Sequence, residues 1–219
     1  MSTSLQSSIA SLQHHWDVMA REQSDDLAKV DTSARSQWFR FMMFSRFNDL
    51  AGASVLDVGC GVGDFWTHLR DVAPDIRYTG VDLSPAMVER CRERFPDTRF
   101  EAVNLLDWQT AERWDYVTAI AIHNVVMENG WEILEAMTRR QFELCNVATH
   151  LSLLTDEFKG YDPHIQPWSP ARLLALALSI TPYVSLRHDY LPHDFSITLY
   201  REPLADRLRR RESTGGTNG

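Results

Sequence analysis

Two acidic residues and a run of glycines carry the most chemical information in this chain. The stretch Val55-Leu56-Asp57-Val58-Gly59-Cys60-Gly61-Val62-Gly63-Asp64 reads as a buried apolar strand that runs into a glycine-rich turn and then opens a helix. Glycine in such a turn lets the backbone approach a ligand closely, and the unpaired N–H groups at the following helix start favour an anionic group. A dinucleotide fold asks for G-x-G-x-x-G with a third glycine where helix meets strand. Asp64 stands there instead, so the row is D-x-G-x-G-x-G, and a second acid, Asp82, ends the next apolar strand, Tyr78-Thr79-Gly80-Val81-Asp82.

The elements that position these residues alternate regularly. Strands are expected over 53–58, 76–82, 98–104, 114–123, 145–154, 182–189 and 195–201, and helices over 63–72, 85–95, 131–143 and 170–180. Strands alternating with helices imply a mostly parallel sheet. The last two strands are separated only by Tyr190–Asp194, too short for a crossover helix, and must pair antiparallel. Ahead of this core, Ile9, Leu12, Trp16, Met19 and Ala20 repeat at helical spacing between about Leu5 and Val30. Asp31-Thr32-Ser33 then offers caps for a second helix dense in Trp38, Phe39, Phe41, Met42, Phe44 and Phe47. Two helices before the first strand suggest a lid, which divides the chain into an N-terminal helical lid (1–50), an α/β domain (51–202) and a flexible tail (203–219) that frays from about Ala205.

Glycine row, spacing and second acid together resemble the class I S-adenosylmethionine (AdoMet) methyltransferases. That resemblance implies a Rossmann-like, seven-stranded sheet of order 3-2-1-4-5-7-6 with strand 7 antiparallel, and AdoMet as the cofactor. It places Asp57, Gly59, Cys60 and Gly61 at the methionine end, with Gly63 completing the turn, Asp82 on the ribose, and Leu83 and Met87 beside the adenine. The segment Asn104-Leu105-Leu106-Asp107 falls where the family holds the adenine amino group, by either Asn104 or Asp107. An asparagine oxygen still accepts a hydrogen bond there. Ser36-Gln37-x-x-Arg40-Phe41, Gly63-Asp64-Phe65 and Leu186-Arg187-His188-Asp189-Tyr190 are similar to motifs of a set of small bacterial methyltransferases, a likeness running from about Ser33 to Glu202. It makes Arg40 a natural partner for the AdoMet carboxylate, with Gln37 on the same helix face.

Methyl transfer from a sulfonium needs alignment and desolvation more than a strong base, so catalytic residues are harder to read. His123 and Asn124 arrive at the carboxyl edge of the sheet, where open α/β folds bind ligands. His123 is a candidate base, a backbone contact to AdoMet or a buried histidine; Asn124 can orient an acceptor or a water. Between strands 5 and 6, 158–168 supplies Tyr161 and Trp168, either as aromatic faces for the sulfonium or as ordinary loop packing. His188 closes strand 6 beside Asp189, although neighbouring strand residues face opposite ways.

At 219 residues and 44% apolar content the chain can bury a full core as one α/β unit with a cap. A net charge of -8 without a basic tract argues against a nucleic-acid backbone as partner and for a small-molecule substrate. Three scattered cysteines suggest neither a disulfide framework nor a metal site, and fit a cytoplasmic protein. No stretch reaches membrane-spanning length. The leading expectation is an AdoMet-dependent methyltransferase acting on an oxygen or nitrogen of a small molecule. The alternative uses AdoMet itself as substrate, its amine attacking the γ-carbon to give azetidine-2-carboxylate and methylthioadenosine. A non-enzymatic AdoMet sensor is a third reading. The sequence does not give the oligomeric state or the acceptor.

Overall fold

The computed structural model describes residues 3–22 and 33–215. In chain order the elements are α1 (Thr3–Glu22), α2 (Ala34–Ser45), β1 (Ser54–Val58), α3 (Asp64–Val72), β2 (Arg77–Asp82), α4 (Pro85–Arg94), β3 (Arg99–Ala102), β4 (Trp114–Ile120), α5 (Gly130–Leu144), β5 (Cys145–Leu154), α6 (Pro170–Ile180), β6 (Val184–Leu191), β7 (Asp194–Tyr200) and α7 (Leu204–Gly215). The seven strands form one sheet of order β3-β2-β1-β4-β5-β7-β6, as expected. β1 pairs in parallel with β2 and β4, and β7 lies antiparallel to both β5 and β6.

Local chemistry sets the helix starts. Ser33, Ser84 and Ser169 each accept from a backbone N–H three residues on, and Pro85 and Pro170 follow two of these caps with a pre-set φ. Asp31 and Thr32, the other cap candidates for α2, lie outside the described residues, as does the segment after Glu22 where the first helix was expected to continue. The central strands are buried on both faces: Val55, Leu56, Val117, Leu151, Leu153, Ile197 and Leu199 are fully enclosed, as a helix-covered sheet requires.

Two boundaries differ from expectation with a physical cause. β4 ends at Ile120 rather than at 123, because Ala121 takes φ +61°, the left-handed region that turns the chain off the strand direction. Ile122 and His123 therefore stand on a loop. The segment from 203, read as a tail, contains α7, whose Asp206–Arg209 pair and Arg207 stacked on the Tyr200 ring (3.5 Å) offset its sparse apolar content. None of the described helices is long and apolar enough to cross a membrane.

Candidate active site

The glycine turn is stapled to the end of β2: Gly59 N and Cys60 N both donate to Val81 O, at 2.7 and 3.0 Å. Its glycines serve different masters. A Cβ on Gly59 would lie 2.3 Å from Ile122, one on Gly63 2.8 Å from Phe95, and one on Gly80, in the facing strand, 2.6 Å from Phe100. Gly61, at φ +54°, has nothing within 4 Å of that position. Packing thus demands three of these glycines, whereas the fourth faces open space.

That space is a cavity of about 260 Å³ at the carboxyl ends of β1, β2 and β4. Asp82 closes one side. Its Oδ2 accepts from Gly61 N and its Oδ1 from Ser84 N, both at 2.9 Å, and burial pushes its carboxyl up to about 6 against those hydrogen bonds, with Asp17 adding to the rise. Asp57 lies beneath the turn, accepting from the Tyr78 hydroxyl (2.6 Å) and Thr118 Oγ1 (3.1 Å); burial raises it likewise to about 6. Cys60 is buried in the turn, its thiol held in the protonated form beside Cys91, which donates to Gly61 O.

Twelve sequence-derived cofactor candidates come together on this one wall: Gln37, Arg40, Asp57, Gly59, Cys60, Gly61, Asp82, Leu83, Met87, Asn104, Leu105 and His123. Asp107 is not in the wall. It is exposed, and accepts from Asn104 Nδ2 at 2.6 Å while Asn104 Oδ1 accepts from Leu106 N, so the pair orders the turn after β3 and leaves Asn104 on the cavity side.

Arg40 reaches the wall with its charge already matched. Its Nε and Nη2 donate to Asp194 at 2.8 and 3.0 Å, and the two side chains are 3% and 1% exposed. The expected salt bridge to a ligand carboxylate therefore competes with a bidentate buried pair. Gln37 donates to Asp64 (3.4 Å), which also pairs with Arg94. His123 is 4% exposed, its Nε2 has no hydrogen-bond partner, and burial brings its pKa down to about 4, so the imidazole is neutral; its carbonyl accepts from Trp168 Nε1.

The other catalytic candidates fall elsewhere. Asn124 lies beyond the wall, its Oδ1 buried and unpaired and its carbonyl accepting from Gln166 N. The Tyr161 hydroxyl donates to the carbonyls of Thr155 (3.0 Å) and His193 (2.9 Å), fastening 158–168 to the β6–β7 turn instead of facing a cation. His188 is exposed on β6, away from the cavity, where the pairing of β6 with β7 loses register between Arg187 and Leu191. The aromatic lid is also thinner than expected. Trp38 is 49% exposed and Phe44 packs on Tyr116 and His150, leaving Phe41 as α2's aromatic contribution to the wall.

α1 provides the roof through Ile9, Leu12 and Trp16, and Asp17 ties it down by accepting from Ser84 Oγ (2.5 Å) and Ala86 N (3.3 Å). The helical stripe signalled those apolar residues, whereas Asp17 carried no local signal. Ile133 and Met137, one turn apart on α5, complete the floor and were legible only as part of a helix.

Residues 55–140 match the family model described as a methyltransferase domain. Over 67 residues the chain is 37% identical to trans-aconitate 2-methyltransferase of Escherichia coli, a match that spans 31% of this chain and 27% of that enzyme. Among solved structures, a DhpI-SAM-HEP complex aligns with TM-score 0.67 at 19% identity, covering 92% of this chain and 100% of that one. The N-methyltransferase NodS from Bradyrhizobium japonicum WM9, in complex with S-adenosyl-l-homocysteine, aligns with TM-score 0.61 at 13% identity, covering 86% and 97%. Likeness at these identities establishes the fold, and the sequence match establishes the domain. Residues 55–140 thus carry a methyltransferase-domain match, on a fold shared with solved methyltransferase structures.

Proposed function

We propose that this protein binds AdoMet and catalyses transfer of its methyl group to an oxygen or nitrogen nucleophile of a small molecule. The observation that carries the reading is the convergence of the glycine turn, Asp82 and the ends of β3 and β4 on one cavity, with the missing Cβ of Gly61 opening into it. AdoMet, when bound, supplies an activated methyl group on a sulfonium.

The chain's residues fit that group. Asp82 uses one lone pair of each oxygen on backbone N–H groups and keeps others for two ribose hydroxyls. Gly59 and Gly61 admit the methionine end against the backbone, Leu83 and Met87 flank the base, and Asn104 with Leu105 meets its edge. Ile9, Leu12 and Trp16 keep water from the reacting centre, where desolvation strengthens every charge interaction. His123 lines the cavity as a residue whose buried imidazole is neutral. No feature of the structure favours the intramolecular cyclisation, and of Asn124, His123 and Tyr161, which could have served it, only His123 lines the wall.

The test is incubation with AdoMet, with and without candidate acceptors, followed by mass analysis. S-adenosylhomocysteine is expected only when an acceptor is present. Methylthioadenosine formed from AdoMet alone would replace methyl transfer with cyclisation, and failure to bind AdoMet in titration calorimetry would remove the cofactor assignment.

A further inference from the structure

The charges on the cavity wall are almost all spoken for. Among the described residues the wall carries one cationic side chain, Arg40, and it is held bidentately by Asp194, with both groups buried. Asp64 is matched by Arg94 at 2.6 Å. What remains is Asp57 and Asp82, two carboxylates with only hydroxyl and backbone donors around them. AdoMet adds a sulfonium and an ammonium against one carboxylate, which those two acids already offset.

A carboxylate acceptor entering this space would find no unspent cation. To recruit Arg40 it would have to displace Asp194, and a buried carboxylate stripped of its partner is strongly destabilising. An acceptor without charge meets no such penalty, and the rest of the wall, from Ile9, Leu12 and Phe41 to Ile122 and Met127, suits an apolar body.

Building on the methyl-transfer reading, we infer that the acceptor is an uncharged, largely apolar compound and not a carboxylic acid. A lone pair on its oxygen or nitrogen forms the new bond to the methyl carbon, the S–CH3 pair returns to sulfur, and the proton the acceptor loses passes to water. The products are the methylated acceptor and S-adenosylhomocysteine. The Arg40–Asp194 pair acts as a specificity determinant by withholding a cation from acidic acceptors.

The probes are 1-naphthol, 1-naphthoate, 1-naphthylamine and trans-aconitate, offered to the full chain near neutral pH. With the protein saturated in S-adenosylhomocysteine, titration calorimetry should find naphthol bound at least about tenfold more tightly than naphthoate. With AdoMet, S-adenosylhomocysteine should form with naphthol and with neither acid. Asp194→Asn, which releases the charge of Arg40, should improve naphthoate binding by roughly tenfold; circular dichroism checks its fold, and the wild-type comparison stands without it. Equal or tighter binding of naphthoate, or methylation of either acid faster than of naphthol and naphthylamine, overturns the inference and leaves methyl transfer standing. No S-adenosylhomocysteine from naphthol or naphthylamine while AdoMet binds overturns the inference, whereas methylthioadenosine from AdoMet alone overturns methyl transfer itself.

Discussion

The two sides of the cavity are held in place by different means. On the side of β1, β2 and β3 the wall is largely main chain: the glycine turn is stapled to Val81 O, Asp82 is fixed by Gly61 N and Ser84 N, and the turn after β3 is closed by Asn104 O accepting from Asp107 N and Trp108 N. On the side of α2 and β7, side chains from distant segments do the work, with Arg40 reaching Asp194, Ser36 within 3.3 Å of His193, and Tyr161 bridging Thr155 and His193. A surface built from main chain keeps its donors through most side-chain changes, except where a Cβ would fill an open glycine position such as Gly61. A surface built from side chains can be altered residue by residue.

The largest effect should come from filling the open position of the turn. Gly61→Val puts a β-branched residue at φ +54° and its methyls into the cavity, so AdoMet binding is expected to fall by about 3 kcal/mol or more, beyond easy detection in titration calorimetry. Retained affinity in a folded Gly61→Val protein would mean that the cavity is not the cofactor site.

Asp82→Ala should weaken AdoMet by about 1.5–3 kcal/mol by removing charge-assisted acceptors for the ribose. The same carboxylate sets the pH dependence. Burial, chiefly, raises Asp82 from 3.8 to about 6, so without ligand it takes up a proton as pH falls through about 6, while ribose hydroxyls donate to its ionised form. Affinity should therefore drop below pH 6, approaching about tenfold per unit, and Asp82→Asn should flatten the profile. Stability of the ligand-free fold runs the opposite way: with Asp57 and Asp82 both raised, their favourable contribution is complete below 3.8 and is lost as pH rises through about 6. Thermal unfolding across that window, with and without AdoMet, measures both trends.

Smaller effects test the side-chain-built half. Tyr161→Phe removes the donor to two carbonyls and should cost about 1–2 kcal/mol of stability by denaturant titration, leaving AdoMet affinity unchanged. A loss of affinity with unchanged stability would return Tyr161 to the cofactor. His188→Ala, exposed where β6 loses register with β7, should change stability by no more than about 0.5 kcal/mol and turnover not at all.

The legibility of the site follows the same division. The turn from Asp57 to Asp64, Asp82, Leu83 and the Asn104-Leu105 segment lie at or just after the ends of strands whose apolar runs announce them, with Met87 in the first turn of α4, and the family resemblance singled them out. His123 was placed correctly at that edge but on the wrong element, since nothing in Ile120-Ala121-Ile122 announces a left-handed alanine. Tyr161 and His188 were grouped with the site by composition, and Arg40 was read as waiting for a ligand. Whether a charged side chain is spent depends on a partner 154 positions away, and no periodicity reaches that far.

Sequence by itself determined the alternation of strands and helices, because strand burial and helix amphipathicity are written in periods of two and 3.6, while the sheet order came with the family resemblance of the glycine row. It also determined the glycine-turn side of the cavity, because a strand–turn–helix unit brings its residues together within a few positions. Tertiary structure alone decided which charges are already paired, which glycine faces a neighbour and which faces space, and which aromatics cover the cavity. Those are properties of atoms brought together across long stretches of chain, and burial, which fixes their energies, does not exist until the chain has folded.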